Sequence, residues 1–82
     1  MTFEETSKAM LSEDYRERFR AEYWQLSIRT DRLYKILENY NKNGILGFDP
    51  KCSFALLQDQ LIVMQAYLEI LEKRAKAEGI EL

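Results

Sequence analysis

Arg16, Arg20 and Trp24 recur at every fourth residue in RERFRAEYW, with Tyr23 beside the tryptophan. On a helix of about 3.6 residues per turn, the two guanidinium groups and the indole line one flank, and Tyr23 turns toward the adjoining face. Arginine forks onto phosphate and stacks on rings. Aromatic faces stack on bases. This is the chemistry of a site for a nucleotide-like anion, particularly where a second subunit closes over it. The same residues have a plainer reading. Glu13 and Glu17 stand three residues before Arg16 and Arg20, so ordinary helix-surface ion pairs are the commoner arrangement. Arginines beside aromatics are also frequent at protein interfaces.

A second line is Gln60, Tyr67 and Arg74, which recur every seven residues beside a heptad seam. Such polar edge groups need partners. They fit either an inter-subunit pocket or coiled-coil flanking positions that set register. A third group, Asn41, Lys42, Asn43 and Gly44, offers backbone N–H groups and a cation to an anion. Helix-stop chemistry already accounts for its asparagines and glycine.

Catalysis is not expected. The chain has no histidine and one cysteine, Cys52, so His-based triads, the usual zinc sites and an internal disulfide are all excluded. Cys52 is expected in the first turn of a helix, where the dipole lowers a thiol pKa, but it has no partner base. Glu4 with Glu5 and Glu13 with Asp14 are carboxylate pairs at exposed helix starts, not in a desolvated cleft. No Walker loop, dinucleotide fingerprint, metal-ligand cluster or cofactor motif is present.

The elements that must position these residues are helices. Thr2 and Glu5 fit a capping box, opening a short amphipathic helix to Leu11 with Phe3, Ser7, Met10 and Leu11 on one face. Ser12 is expected to cap a helix over residues 13–40. There Phe19, Tyr23, Leu26, Thr30, Leu33, Leu37 and Tyr40 alternate in fours and threes, an unbroken seam with Thr30 its weak position. Asn43-Gly44 reads as a helix stop and Asp49-Pro50 as a start, with Ile45 and Phe48 tucking back from a loop over 41–49. Phe54, Leu57, Leu61, Met64, Leu68, Leu71 and Ala75 form the seam of a helix over 50–78, ended by Gly79. The expected fold is all-α: one domain, residues 1–82, an antiparallel two-helix hairpin of coiled-coil type with a short N-terminal helix.

A hairpin leaves too much uncovered. Leu56, Val63, Tyr67 and Ile70 form a further apolar row, and Trp24 and Ile28 sit behind the first seam. Leaving them wet forgoes about 1.5–3 kcal/mol for each large apolar side chain and invites aggregation. Self-association into a helical-bundle homo-oligomer is the expected cover, with Trp24, Ile28, Leu56, Val63, Tyr67 and Ile70 as interface candidates. A folded-back N-terminal helix is the competing cover for one face.

The net charge of −2 argues against direct DNA binding. No signal-peptide pattern and no apolar run near membrane-span length are seen, so a soluble cytosolic chain without a membrane partner is expected.

The two long helices resemble a family of small, largely uncharacterised bacteriophage proteins named after a gene product of a crAss-like phage. The first motif falls on Ala21, Glu22, Tyr23, Leu26, Arg29, Arg32 and Leu33. The second falls on Leu57, Gln60, Leu61, Met64, Tyr67, Ile70, Leu71 and Arg74. The resemblance spans Glu17 to Arg74 and leaves out residues 1–11 and Trp24. It implies a phage accessory protein in the cytoplasm of an infected bacterium. Small phage proteins often counter host defence. Anti-CBASS and anti-Thoeris sponges, for example, hold nucleotide signals between subunits. Three functions are expected, the first by that analogy of architecture and setting together with the residues above, the other two from the helical faces. The first is sequestration of a cyclic nucleotide or ADP-ribose-type signal by Arg16, Arg20, Tyr23, Trp24, Gln60, Tyr67 and Arg74. The second is blocking of a host defence protein, a nuclease or effector, through an exposed Trp24/Ile28 face. The third is a structural or regulatory coiled-coil role.

Overall fold

Thr2 and Glu5 make the expected reciprocal cap. The Glu5 backbone N–H donates to Thr2 Oγ1 at 3.2 Å, and the Thr2 N–H donates to Glu5 Oε1 at 3.1 Å. This opens helix α1, Phe3–Ala9. The computed structural model describes residues 1–44 and 51–82, and within them α2 spans Tyr15–Asn43 and α3 spans Phe54–Glu78. Among the described residues α2 packs against α1 on one side and α3 on the other, and α1 and α3 do not meet. The α2–α3 pair is the expected helical hairpin. Its long dimension, 43 Å, is the length of α2 at about 1.5 Å per residue.

The helix ends differ from the sequence expectation in four places. α1 stops at Ala9 because Leu11 N–H bonds Lys8 O and Ser12 N–H bonds Ala9 O, a tightened last turn that leaves Leu11 exposed. Its buried face is Thr6 and Ala9, not Met10 and Leu11. Asp14, not Ser12, caps α2, accepting from the Arg16 N–H at 3.0 Å; the Ser12 hydroxyl instead accepts from the Asp14 N–H and donates to Glu17. α2 continues three residues past Tyr40, until Gly44 takes the left-handed conformation (φ 70°). α3 begins only at Phe54, with the Ser53 hydroxyl accepting from the Leu56 N–H at 3.1 Å. Lys51 and Cys52 are therefore not helical, and Cys52 is exposed ahead of the helix rather than in its first turn. The expected roles of Ile45, Phe48, Asp49 and Pro50 lie outside the described residues.

The core follows the seams and concentrates at the open end of the hairpin. Phe19, Leu71, Ala75 and Ile80 are buried together, with Tyr23 and Leu26 packed on them. Thr30 is tolerated in the seam because its hydroxyl donates to Leu26 O at 2.7 Å. Ile80 lies beyond the helix stop. Gly79 (φ 69°) turns the chain, and the Ile80 N–H bonds Ala75 O at 2.8 Å. This is the Schellman arrangement that folds an apolar residue back onto the last turn. Toward the loop end, Tyr40 and Phe54 stack with ring centroids 4.3 Å apart.

α3 is far less covered than α2. Leu56, Ile62, Val63, Tyr67 and Ile70 are all exposed. By length and composition alone α3 is also long and apolar enough to cross a membrane, a test that the core helix of a soluble protein passes as well. Its apolar residues form a seam and a second stripe, interrupted by Gln58, Asp59, Gln60, Gln65 and Glu69.

Candidate functional site

Trp24 and Ile28 are not bare. α1 lies along the back of α2: Ala21, about 200° around the helix from seam residue Phe19 at about 100° per residue, is wholly buried. Phe3 sits under the guanidinium groups of Arg29 and Arg32, with their carbons 5.8 and 5.3 Å from the ring centroid. Thr6 and Ala9 are small enough to let the two backbones approach closely. Trp24 and Ile28, flanking Ala21, are half-buried, and the Trp24 indole meets the Tyr23 ring edge-on at 5.1 Å. The expected exposed Trp24/Ile28 face is thus replaced by a partly covered one.

The candidate ligand residues fall into two groups, one on each flank of α2. Arg16, Arg20 and Trp24 share one flank. Tyr15 and Glu22 lie on the other and hold the polar edge of α3. The Tyr67 hydroxyl donates to Glu22. Arg74 donates to the Tyr15 hydroxyl at 3.0 Å and pairs with Glu78 at 3.5 Å, while Tyr15 donates to Glu78 at 2.8 Å. Gln60, on the same edge, is exposed and makes a weak 3.7 Å contact to the Met64 sulfur. One chain therefore cannot close all seven candidates around one ligand.

The two groups also differ in commitment. Tyr23 turns its hydroxyl to α3 and donates to Glu72 at 2.8 Å. Burial, then this carboxylate, pushes its pKa above the usual tyrosine range. The Glu22 hydrogen bond, then burial, does the same for Tyr67. Both phenols are held as neutral donors. Among the described residues, by contrast, no ion pair or side-chain hydrogen bond ties the guanidinium groups of Arg16 and Arg20. Glu17, the expected partner of Arg20, accepts from Ser12 instead. Two arginines at i and i+4 repel, and among the described residues no ion pair relieves them.

Two shallow clefts, of about 250 and 140 Å³, lie near the loop end. One is lined by Lys35, Glu38, Asn39 and Lys42, the other by Tyr34, Leu37, Glu38, Asn41, Gln58 and Leu61. Neither contains a candidate residue except that Asn41 and Lys42, from the weak loop group, each border one. Among the described residues there is no cluster of side chains suited to a metal ion.

The Sequestin family model matches residues 13–77, which include α2 and all but the last residue of α3, and the chain belongs to that family. The match excludes α1. No curated protein and no solved structure matches the chain.

Proposed function

We propose that this Sequestin-family chain acts by binding rather than catalysis, sequestering a nucleotide-derived signal as a homo-oligomer. In this reading it is a phage counter-defence protein working in the cytoplasm of the infected bacterium. The family's name supports sequestration. The observation that carries the ligand class is the pair Arg16 and Arg20, without an ion pair among the described residues and in line with Trp24. Phosphate between the two guanidinium groups relieves their repulsion through charge-assisted, fork-like hydrogen bonds. A base stacks on the accessible part of the indole. Tyr67 and Arg74 serve architecture, because their polar groups are already bonded to α2.

Calorimetry against cyclic dinucleotides and cyclic ADP-ribose isomers tests this. Binding that is lost in Arg16→Ala and Arg20→Ala supports it. Absence of binding across the panel sinks the nucleotide assignment.

A second reading is favoured by the exposed apolar stripe of α3: the chain blocks a host defence protein through Leu56, Val63 and Ile70. Capture of one host nuclease or effector, abolished by Val63→Asp and insensitive to Arg20→Ala, distinguishes it.

A further inference from the structure

We infer that Phe3 gathers Arg29 and Arg32 into an oxyanion site for a phosphate monoester, separate from the Arg16/Arg20 flank. The two guanidinium carbons lie 5.8 and 5.3 Å from the one ring centroid. α1 thus brings to a single ring two cations that are already helix neighbours at i and i+3. The ring attracts them, but a neutral ring cancels no charge and accepts no forked hydrogen bond. Among the described residues neither arginine enters an ion pair. Both are exposed, so the site is open to a ligand.

The sequence sets this pair apart. Arg16, Arg18, Arg20 and Arg74 each have a carboxylate three or four residues away on the helix or at its start. Arg29 and Arg32 have none: only apolar, amide or basic residues stand at those distances, Lys35 and each other among them. Asp31 lies between them in sequence but does not share their face, and it pairs with Lys35 at 2.9 Å. On α1, Glu5 accepts from the Thr2 backbone N–H, and Glu4 forms an ion pair with neither arginine. Two positive charges therefore share one place without compensation. The matching ligand is a dianion with several terminal oxygens. A phosphate monoester carries close to two negative charges at neutral pH and three strong acceptor oxygens, which suits two forked donors. A diester carries one charge. Arg29 stands about 180° around α2 from Arg20, so the two arginine pairs take separate ligands. Phe3 lies outside the Sequestin match, so the ring is this chain's addition to the matched hairpin.

Titration with methyl phosphate and with dimethyl phosphate tests this, followed by NMR of the arginine Nε–Hε groups. An Arg16→Ala/Arg20→Ala chain removes the other flank. Methyl phosphate is expected to shift the Arg29 and Arg32 signals and to bind about tenfold tighter than the diester, the worth of one further hydrogen bond to a charged group. Arg29→Ala and Arg32→Ala, both at exposed positions, are each expected to weaken it about tenfold on the same ground. Phe3→Leu keeps an apolar residue but no ring, and is expected to weaken it roughly threefold. Unmoved Arg29 and Arg32 signals overturn the inference. Equal affinity for the two esters overturns the monoester assignment, and full affinity in Phe3→Leu overturns the part given to α1. Failure of cyclic nucleotides to bind the wild-type chain, when methyl phosphate does, overturns the Arg16/Arg20 reading alone.

Discussion

The Arg74 guanidinium lies over the Phe19 ring, 5.0 Å from its centroid, at the end of the hairpin where the core is deepest. It also donates to Tyr15 and pairs with Glu78, so one side chain ties the last turns of α3 to the first turn of α2. That makes Arg74 a structural tie. Arg74→Ala is expected to lower the melting temperature by several degrees while leaving nucleotide affinity within about twofold. Arg74→Lys is expected to recover only part of the loss, since an ammonium lacks the flat, forked face. Thermal unfolding followed by circular dichroism, with calorimetry on the same variants, separates the two effects.

Leu71 is wholly buried and Ile80 nearly so. Leu71→Ala is expected to cost about 2–5 kcal/mol, enough to unfold much of a domain this small. Ile80→Ser is expected to cost roughly 1–3 kcal/mol by the lost transfer of its side chain. Urea denaturation reads both. An Ile80→Ser variant as stable as the wild type would show that the refolded tail adds nothing to the core.

The contrast between Leu71 and Ile80 marks what the sequence made legible. Leu71 sits in an unbroken seven-residue pattern, and the pattern alone placed it, along with Phe19, Leu37 and Ala75, in the buried set. Ile80 follows a glycine stop. Its burial depends on a six-residue backbone bond, signalled only by an apolar residue directly after Gly79. The start of α3 was obscured by competition: Asp49-Pro50 is as good a start signal as Ser53, and local sequence does not rank them. At the candidate site, the spacing of Arg16, Arg20 and Trp24 was readable. The separation of Tyr67 and Arg74 from them was not, because a heptad fixes which face of α3 meets α2 but not which side its polar edge occupies. Trp24 seemed uncovered because the burying face of α1 consists of Thr6 and Ala9, residues too small or too polar to register as an apolar stripe.

Arg16→Ala and Arg20→Ala are each expected to weaken nucleotide binding at least tenfold, with stability changed by less than about 0.5 kcal/mol, the usual range for surface positions. Affinity should also fall with added salt, because the contact is ionic and largely solvent-facing. Calorimetry at two salt concentrations checks this. Unchanged affinity in both variants would move the ligand away from this flank.

The two raised tyrosine pKa values set an alkaline limit. A phenol whose folded pKa lies above its unfolded value, near 10, keeps its proton more tightly in the native state. Its contribution is complete below pH 10 and is lost as pH rises through the folded value. The causes are burial and Glu72 for Tyr23, and Glu22 and burial for Tyr67. Stability should therefore fall above about pH 10, and less steeply in Tyr23→Phe/Tyr67→Phe. Lysine titration affects both proteins alike, so the difference between their urea midpoints from pH 8 to 11 isolates the phenols.

Ala21 decides whether α1 stays on α2. It is wholly buried on the face away from the seam, and Thr6 and Ala9 of α1 are the buried residues facing that side. Leucine at this position remains a strong helix former, so α2 and its seam should persist, but the larger side chain fills the space α1 occupies. Overpacking costs about 1–3 kcal/mol when the contact is held. The contact here is a seven-residue helix with one half-buried ring, so release is the cheaper outcome. Ala21→Leu is expected to keep its helical signal from α2 and α3 while Trp24 becomes more open to acrylamide quenching. A chain lacking residues 1–12, which the family match also omits, should give the same quenching. If the two differ, with Ala21→Leu no more quenchable than the wild type, then α1 has accommodated the leucine and the small residues are not what seats it. If both are quenched and both still bind nucleotide, α1 covers the back of α2 without forming part of the ligand site.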